Sequence, residues 1–180
     1  MSRVRSFAPV AGADATRLIL GSMPGAASLR AGQYYAHPRN LFWPILCEIL
    51  GMDPGLPYAD RAAALAASGI ALWDVLKSCT RPGSMDAAIV KASIVPNDFA
   101  RFFALHPKVR LVYFNGTMAE ASYRRRVLPL LPALPLVYAR MPSTSPAHAA
   151  LSFEQKLAAW RVVADAAGGA GRSASRGRRG

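Results

Sequence analysis

Short apolar runs alternate with longer segments of helical periodicity along most of this chain. The apolar runs cover residues 17–21, 70–73, 110–115 and 134–139, and each is bounded by Gly, Pro or Asn, as is typical of buried strands. The helical segments cover residues 41–50, 61–67, 97–105, 117–127 and 152–167. Strands that alternate with helices predict an α/β fold in which helices cover both faces of a parallel sheet.

Two of the predicted helices begin at a recognisable cap. Asn97 is expected to cap the helix at 97–105, because an Asn side chain accepts a hydrogen bond from the first helical turn. Ser152 and Gln155 have the spacing of a capping box at the start of the helix at 152–167.

The composition predicts one domain with a positively charged surface. The chain has 180 residues, of which 52% are hydrophobic, and we expect a single domain over residues 1–168. Residues 169–180 are rich in Arg, Gly and Ser and are expected to form a basic disordered tail. The net charge of +12 favours a nucleic acid or another polyanion as partner, although a solubility surface would have the same composition.

The sequence gives no support for a disulfide framework, a metal or cofactor site, a membrane span or a signal peptide. Cys47 and Cys79 are too few for a disulfide framework or a four-cysteine metal site, and the three histidines lack metal-ligand spacing. With neither a P-loop nor a GxGxxG pattern, we expect no metal and no cofactor. No apolar run reaches the roughly 18 residues of a membrane span and no signal peptide is recognisable, so a cytoplasmic protein is expected. Its positive charge predicts a bacterial-type protein that associates with the nucleoid through DNA.

Two polar loops that follow predicted strands are the candidates for a functional site. The first covers residues 21–40, and the second covers residues 140–148, where prolines flank a Ser-Thr-Ser segment. In open α/β sheets ligands bind outside the carboxyl ends of the strands. The two loops are therefore expected to face one another across a groove.

The sequences of these loops resemble the motifs of a known enzyme family. Three segments carry the resemblance: GSMPG with QYYAHPRNLFW in residues 21–43, GIALWDVLK in residues 69–77, and MPSTSPAHA in residues 141–149. In this order they resemble motifs of the uracil-DNA glycosylase superfamily, most closely its hypoxanthine-DNA (deoxyinosine) glycosylase-like branch. The similarity spans residues 15–165 and implies the uracil-DNA glycosylase-like fold, a single domain with a four-stranded parallel sheet flanked by helices.

The resemblance implies a water-positioning group in the first loop. Other branches place Asp, Asn or Glu within the five-residue turn, whereas this chain has Ser22 and Met23 there, which are expected to lie beside the base. In the hypoxanthine-type branch a downstream Asn takes the catalytic role, and it corresponds to Asn40. An amide orients a water but cannot take its proton. Asn40 could instead cap the following helix, or do both.

The resemblance also implies two residues that bind the flipped base. Tyr35 corresponds to the aromatic residue that stacks on the base, although a place in the core is the alternative for a tyrosine. Asp74 stands where relatives use Asn to hydrogen-bond the base edge. An ionised carboxylate only accepts hydrogen bonds, so Asp74 is either protonated or turned elsewhere, for example toward Lys77. A helix or loop cap is the other role open to Asp74.

The second loop is expected to contact DNA. Ser143, Thr144 and Ser145 offer hydroxyl and backbone N–H groups suited to phosphate contacts. His148 is a candidate for a phosphate or base contact, with a purely structural role as the alternative. The classical branch has a leaving-group histidine where this chain has Met141, so backbone N–H groups or another side chain must stabilise the departing base.

Together, these observations predict a monofunctional DNA N-glycosylase of base-excision repair. The enzyme would flip a deaminated base, uracil and/or hypoxanthine, out of double- or single-stranded DNA, hydrolyse the N-glycosidic bond and leave an abasic site. It is expected to act as a monomer and without contact with a membrane. One alternative is a weakly catalytic or non-catalytic relative that binds damaged or abasic DNA. An RNA-binding accessory protein is a third class, which rests only on the charge and the Arg/Gly/Ser tail.

Overall fold

The computed structural model of this protein describes residues 3–165. Its strands are β1 (Arg3–Arg5), β2 (Arg17–Gly21), β3 (Ile70–Asp74), β4 (Leu76–Thr80), β5 (Val95–Pro96), β6 (Leu111–Asn115) and β7 (Val137–Met141). Its α-helices are α1 (Ala26–Ala31), α2 (Phe42–Leu50), α3 (Tyr58–Ala67), α4 (Phe99–Leu105), α5 (Thr117–Arg126), α6 (Phe153–Trp160) and α7 (Val162–Asp165). Short 3-10 helices lie at Asp86–Ala88, Lys91–Ser93 and Leu128–Leu130. The predicted basic tail at 169–180 lies outside the described residues.

The central sheet of the described part has four parallel strands in the order β3-β2-β6-β7. The register pairs Gly21 with Asp74 and Asn115 with Met141, so the carboxyl ends of all four strands lie at one edge. Every residue of β2 and β3 is buried, which shows that both faces of the sheet are covered. The structure therefore confirms the α/β fold with a four-stranded parallel sheet flanked by helices.

A small antiparallel sheet, which the sequence analysis did not predict, continues from the end of β3. Its strands have the order β1-β4-β5, and only Val75 separates β3 from β4. The Val75 N–H donates to the Gly21 carbonyl at 2.8 Å, and the Leu76 N–H donates to the Ser22 carbonyl at 3.1 Å. The chain thus bends sharply at the end of β3 and holds this end against the turn that follows β2.

Three of the four predicted strands agree with the structure to within one residue at each end. The fourth was expected at 134–139 and is instead Val137–Met141. Its ladder begins where the Val137 N–H donates to the Arg110 carbonyl at 2.8 Å, whereas Pro135 has no N–H to contribute. The shift matters for the site because it makes Met141 the last residue of the strand.

The start of α4 differs from the prediction. Asp98 is the cap, and its side chain accepts a hydrogen bond from the Arg101 N–H at 3.0 Å. The Asn97 amide, which was expected to form this cap, donates to the Asp74 backbone carbonyl at 2.8 Å. Asn97 therefore supports the end of β3 rather than the helix.

The predicted capping box of Ser152 and Gln155 is confirmed at the start of α6. The helix predicted at 152–167 is divided, since α6 ends at Trp160 and α7 follows, and residues 166 and 167 lie outside the described range. The first loop also contains a short helix, α1, that was not predicted. No helix between residues 3 and 165 has the length and hydropathy of a membrane span.

Candidate active site

The carboxyl ends of the parallel strands form the floor of the candidate site. The last residues of the strands are Asp74, Gly21, Asn115 and Met141. The first predicted loop leaves the sheet after Gly21 and the second leaves it after Met141. The Leu41 N–H, at the end of the first loop, donates to the Thr144 carbonyl of the second at 3.0 Å. The structure therefore brings the two predicted loops together at this edge, where ligands bind in α/β sheets.

Gly21 leaves a space above the sheet that two functional groups approach. A Cβ atom at this position would lie 2.5 Å from Asp74 Oδ1 and 2.8 Å from the Tyr35 hydroxyl oxygen. The missing side chain thus allows a carboxyl group from β3 and a hydroxyl group from the first loop to reach the same point. A larger residue at Gly21 would displace one of these groups.

Tyr35 has an unusual backbone conformation beside this point. Its φ of 56° is the only positive φ of a non-glycine residue between residues 3 and 165. The ring stacks on Phe42 with 4.0 Å between centroids and 18° between planes, so one face is covered. The hydroxyl has no hydrogen-bond partner among the described residues. Burial raises the pKa of Tyr35, so the hydroxyl stays neutral.

Asp74 is a buried carboxyl without a hydrogen-bond partner for its Oδ2 in the described part of the chain. The residue is 3% exposed, and Lys77, the partner considered from the sequence, has an exposed side chain and makes no ion pair within residues 3–165. Burial raises the pKa of Asp74 to about 8, with a contribution from the charge of Asp86 that Arg81 opposes. At neutral pH Asp74 is therefore mostly protonated and offers one O–H donor and one carbonyl acceptor.

A second carboxyl, which the sequence analysis missed, lies close to the same turn. Ser22 Oγ donates to Asp86 Oδ2 at 2.5 Å, and Arg81 Nη1 lies 3.9 Å from Asp86 Oδ1. Burial raises the pKa of Asp86, while the hydrogen bond from Ser22 and the charge of Arg81 lower it. No motif marks Asp86, and it lies 64 residues from Ser22 along the chain. Only the folded structure brings these groups together.

Asn40 lies where the first loop enters α2. Its Oδ1 accepts a hydrogen bond at 2.9 Å from the N–H of Phe42, the first residue of α2. Leu41 stands at the N-cap position, so Asn40 supports the start of the helix from one residue before it. Its own N–H donates to the His37 carbonyl at 2.9 Å and fixes the turn. The side-chain NH₂ group donates to no residue of the described part. Capping and the positioning of a water are compatible, because they use different atoms of the amide.

Asn115, at the end of β6, holds the second loop against the sheet. Its Nδ2 donates to Thr144 Oγ1 and its Oδ1 accepts from the Thr144 N–H, each at 2.9 Å. Thr144 is fully buried. The structure therefore corrects the expectation that Thr144 contacts DNA, because its hydroxyl is used inside the protein. Asn115 was not predicted from the sequence, although a polar residue that ends a predicted strand is a usable signal.

Helix α6 fixes the second loop at both of its ends. Trp160 Nε1 donates to the Pro142 carbonyl at 2.9 Å, and the buried Lys156 donates from Nζ to the His148 carbonyl at 2.6 Å. These contacts order the loop without using its outer surface.

The outer surface of the second loop carries the remaining candidates for DNA contacts. Ser143 Oγ accepts from the Ser145 N–H and Ser145 Oγ accepts from the Ala147 N–H, both at 3.2 Å. Each hydroxyl still has its proton to donate, and the side chain of His148 is exposed. These groups suit phosphate oxygens.

Two methionines at the candidate site belong to the hydrophobic core. Met23 is 6% exposed and Met141 is 5% exposed, and both pack in the central cluster of buried side chains. A contact of Met23 with the base stays a prediction, and Ser22 is the residue of the turn whose side chain reaches the Asp86 carboxyl. Met141 offers no hydrogen-bond donor.

Comparisons with known proteins agree on one family. The model of the uracil DNA glycosylase superfamily matches residues 9–164. A Methanosarcina acetivorans protein named hypoxanthine DNA glycosylase is 34% identical over 160 residues, which cover 88% of this chain and 96% of the relative. A Methanosarcina barkeri protein of the same name is 42% identical over 113 residues, which cover 62% of this chain and 70% of the relative. A solution NMR structure of a candidate uracil DNA glycosylase from M. acetivorans is 31% identical with a TM-score of 0.77, over 93% of this chain and 99% of that chain.

The burial of Asp74 predicts a specific dependence of stability on pH. The folded protein holds a proton on Asp74 up to a pKa of about 8, whereas the unfolded chain releases it near 3.8, so stability falls as pH rises through this interval. Asp74→Asn has no proton to lose. We therefore expect the free energy of unfolding of Asp74→Asn, minus that of the wild type, to rise by at least about 1 kcal/mol from acidic to alkaline pH. Each unit of pKa shift corresponds to about 1.4 kcal/mol.

Urea unfolding of both proteins at several pH values measures this difference. Titrating groups that are not coupled to Asp74 contribute equally to the two proteins and cancel in the comparison. A difference that stays constant over the whole interval would show that Asp74 is ionised in the folded protein.

Proposed function

Because this chain belongs to the uracil-DNA glycosylase superfamily, we propose that it excises hypoxanthine, uracil or both from DNA by hydrolysis and leaves an abasic site. By family the protein is a DNA N-glycosylase that acts on DNA. The choice of base is supported by the names of the two Methanosarcina relatives. The observation that carries the proposal is the buried carboxyl of Asp74, which reaches the same point above Gly21 as the Tyr35 hydroxyl and whose Oδ2 has no hydrogen-bond partner within residues 3–165.

The neutral carboxyl of Asp74 matches the edge of a deaminated base. Hypoxanthine and uracil each present an N–H donor next to a carbonyl acceptor. A protonated carboxyl donates its O–H to that carbonyl and accepts the N–H, so both groups are satisfied together. An ionised carboxylate would face the carbonyl oxygen without a proton between them. The neutral form is therefore the one that binds the base.

The groups around Gly21 also suit the departing base. The face of Tyr35 that Phe42 does not cover stacks on a base flipped out of the helix. As the N-glycosidic bond breaks, negative charge develops on the base. The O–H groups of Asp74 and Tyr35 both approach this space, and each stabilises that charge by donating a hydrogen bond. They take over the role of the histidine that Met141 replaces.

The two loops position the water and the DNA. The NH₂ group of Asn40 holds the oxygen of the attacking water while its Oδ1 caps α2. Ser143, Ser145 and His148 contact phosphates next to the flipped nucleotide. Asn115 and α6 keep the second loop rigid for this purpose.

Duplexes with a single hypoxanthine, uracil or xanthine test the proposed function. We expect alkali-labile abasic sites at hypoxanthine, uracil or both, and none in a matched undamaged duplex. Single-stranded oligonucleotides in parallel measure the strand preference. Tight binding of lesion or abasic DNA without base release from any substrate would overturn the proposal and support the binding-only relative.

The pH dependence of excision tests the role of Asp74. The single-turnover rate should fall above a pH of about 8, as Asp74 loses its proton. Asp74→Asn keeps one donor and one acceptor, so it should retain excision and lose the alkaline decline. Single-turnover assays of both proteins across this range measure the effect. The same alkaline decline in both proteins would assign it to another group.

Substitutions of Asn40 separate catalysis from capping. Asn40→Asp keeps the oxygen that accepts the Phe42 N–H but lacks the NH₂ group. We expect Asn40→Asp and Asn40→Ala to lower the single-turnover rate by about 100-fold, as for other preorganised polar groups. Only Asn40→Ala should lose helix stability, by about 1 kcal/mol in denaturant unfolding. A near-normal rate in Asn40→Asp would show that Asn40 is only a cap.

A further inference from the structure

Asp86 is a side chain at the site to which neither the motifs nor the proposed function gives a role. It lies in the 3-10 helix Asp86–Ala88, in the segment between β4 and β5. Its carboxyl reaches the turn after β2 and accepts the hydrogen bond of Ser22 Oγ at 2.5 Å. The side chain is 38% exposed, whereas Asp74 is 3% exposed. Asp86 is therefore the carboxyl of the site that a water or a sugar can reach.

The charges of the site assign different protonation states to its two carboxyls. One cation, the fully buried Arg81, interacts electrostatically with both carboxyls and lowers the pKa of Asp74 and of Asp86. Its Nη2 donates to the Pro24 carbonyl at 2.5 Å and its Nε to the Gly83 carbonyl at 3.1 Å, so its position is fixed. Asp86 has both this guanidinium and the Ser22 hydroxyl as partners. Asp74 Oδ2 has no donor within residues 3–165, so the proton lies on Asp74 and Asp86 is the anion.

The other polar groups near the turn cannot accept a proton. The amide of Asn40 is not basic, and the hydroxyl of Tyr35 remains neutral in its buried position. The titratable groups that face Asp86 are Arg81 and Cys79 of the β4 segment, Asp74 of β3 and Tyr35 of the first loop. Among these groups, Asp86 alone is a carboxyl that has a cation and a hydroxyl donor beside it and that is in contact with solvent.

We infer that Asp86 is a catalytic residue, the general base that takes the proton of the attacking water, an assignment that rests on the proposed function. The water oxygen bonds to C1′ of the sugar while the C1′–N bond breaks and its electron pair leaves with the base. The water proton passes to Asp86 Oδ1, and Ser22 holds Oδ2. The departing base takes a proton from solvent, and Asp86 returns its own to solvent. The products are the abasic sugar and the neutral base.

Asp86→Asn is the central variant of the test. It keeps the shape of the side chain and an oxygen that accepts the Ser22 hydroxyl, but it cannot take a proton. Asp60→Asn on α3 is the matched control, because it removes the same charge at an exposed position. The substrate is the lesion duplex that the wild type cleaves. Binding of a duplex with an abasic site shows that each variant is folded and still engages DNA.

We expect Asp86→Asn to lower the single-turnover rate at neutral pH by about 100-fold or more, the usual size of general-base catalysis. Binding of abasic DNA should change by less than about threefold in both Asp86→Asn and Asp60→Asn. Each substitution removes one negative charge and affects binding only through the electrostatic interaction with the phosphates. The wild-type rate should decline at acidic pH as Asp86 takes up a proton. This decline should begin at a higher pH than for an ordinary carboxyl, because burial raises the pKa of Asp86. This acidic decline should be absent from Asp86→Asn.

Chemical rescue separates catalysis from a structural role. Formate should restore part of the rate of Asp86→Ala, because it returns a carboxylate to the vacated space. A rate of Asp86→Asn within about threefold of wild type, or an unchanged acidic decline, would overturn the inference. Asp86 would then have only a structural role, in which it holds its loop against Ser22. The proposed function would then still stand on wild-type activity. Failure of the wild type to release any base would overturn both.

Discussion

The burial of the Asp74 carboxyl is the constraint on which the rest of the site depends. The parallel register sets Asp74 beside Gly21, and the bend at Val75 prevents the end of β3 from turning toward solvent. The carboxyl therefore remains where water cannot stabilise its charge, and it keeps its proton near neutral pH. A protonated acid is a donor and an acceptor at once. Geometry that is fixed by the sheet thus determines which hydrogen bonds a bound base finds.

The site contains features that lower stability, and the surrounding contacts hold them in place. A tyrosine at positive φ costs about 1–3 kcal/mol, and a buried polar group without a partner costs a similar amount. The paired hydrogen bonds of Asn115 and Thr144, with the two contacts from α6, keep the neighbouring loop in one arrangement. Strain and unpaired polar atoms at the same point are expected of a site that is completed by its ligand.

The sequence predicted most of the fold because its central strands are buried on both faces and read as apolar runs. It did not predict β4, whose sequence LKSCT has no such run, and it misplaced β7 because most residues of this strand are only partly buried or exposed. For the site, motif positions identified Tyr35 and Asp74, which the structure brings together. They could not show that Thr144 is buried or that Asp86 reaches Ser22, because these facts depend on contacts between distant segments. The motifs also left the protonation of Asp74 open, since burial decides it.

An aspartate at the end of β3 couples base recognition to a second acid, which an asparagine at this position would not do. The charge of Asp86 helps to keep the proton on Asp74, and Arg81 limits the effect on both. If Asp86 were protonated, Asp74 would ionise more readily and lose the donor that faces the base carbonyl. The ionised state of one carboxyl therefore supports the neutral state of the other. Such a pair assigns the hydrogen-bonding role and the proton-accepting role to different residues of the same chemical type.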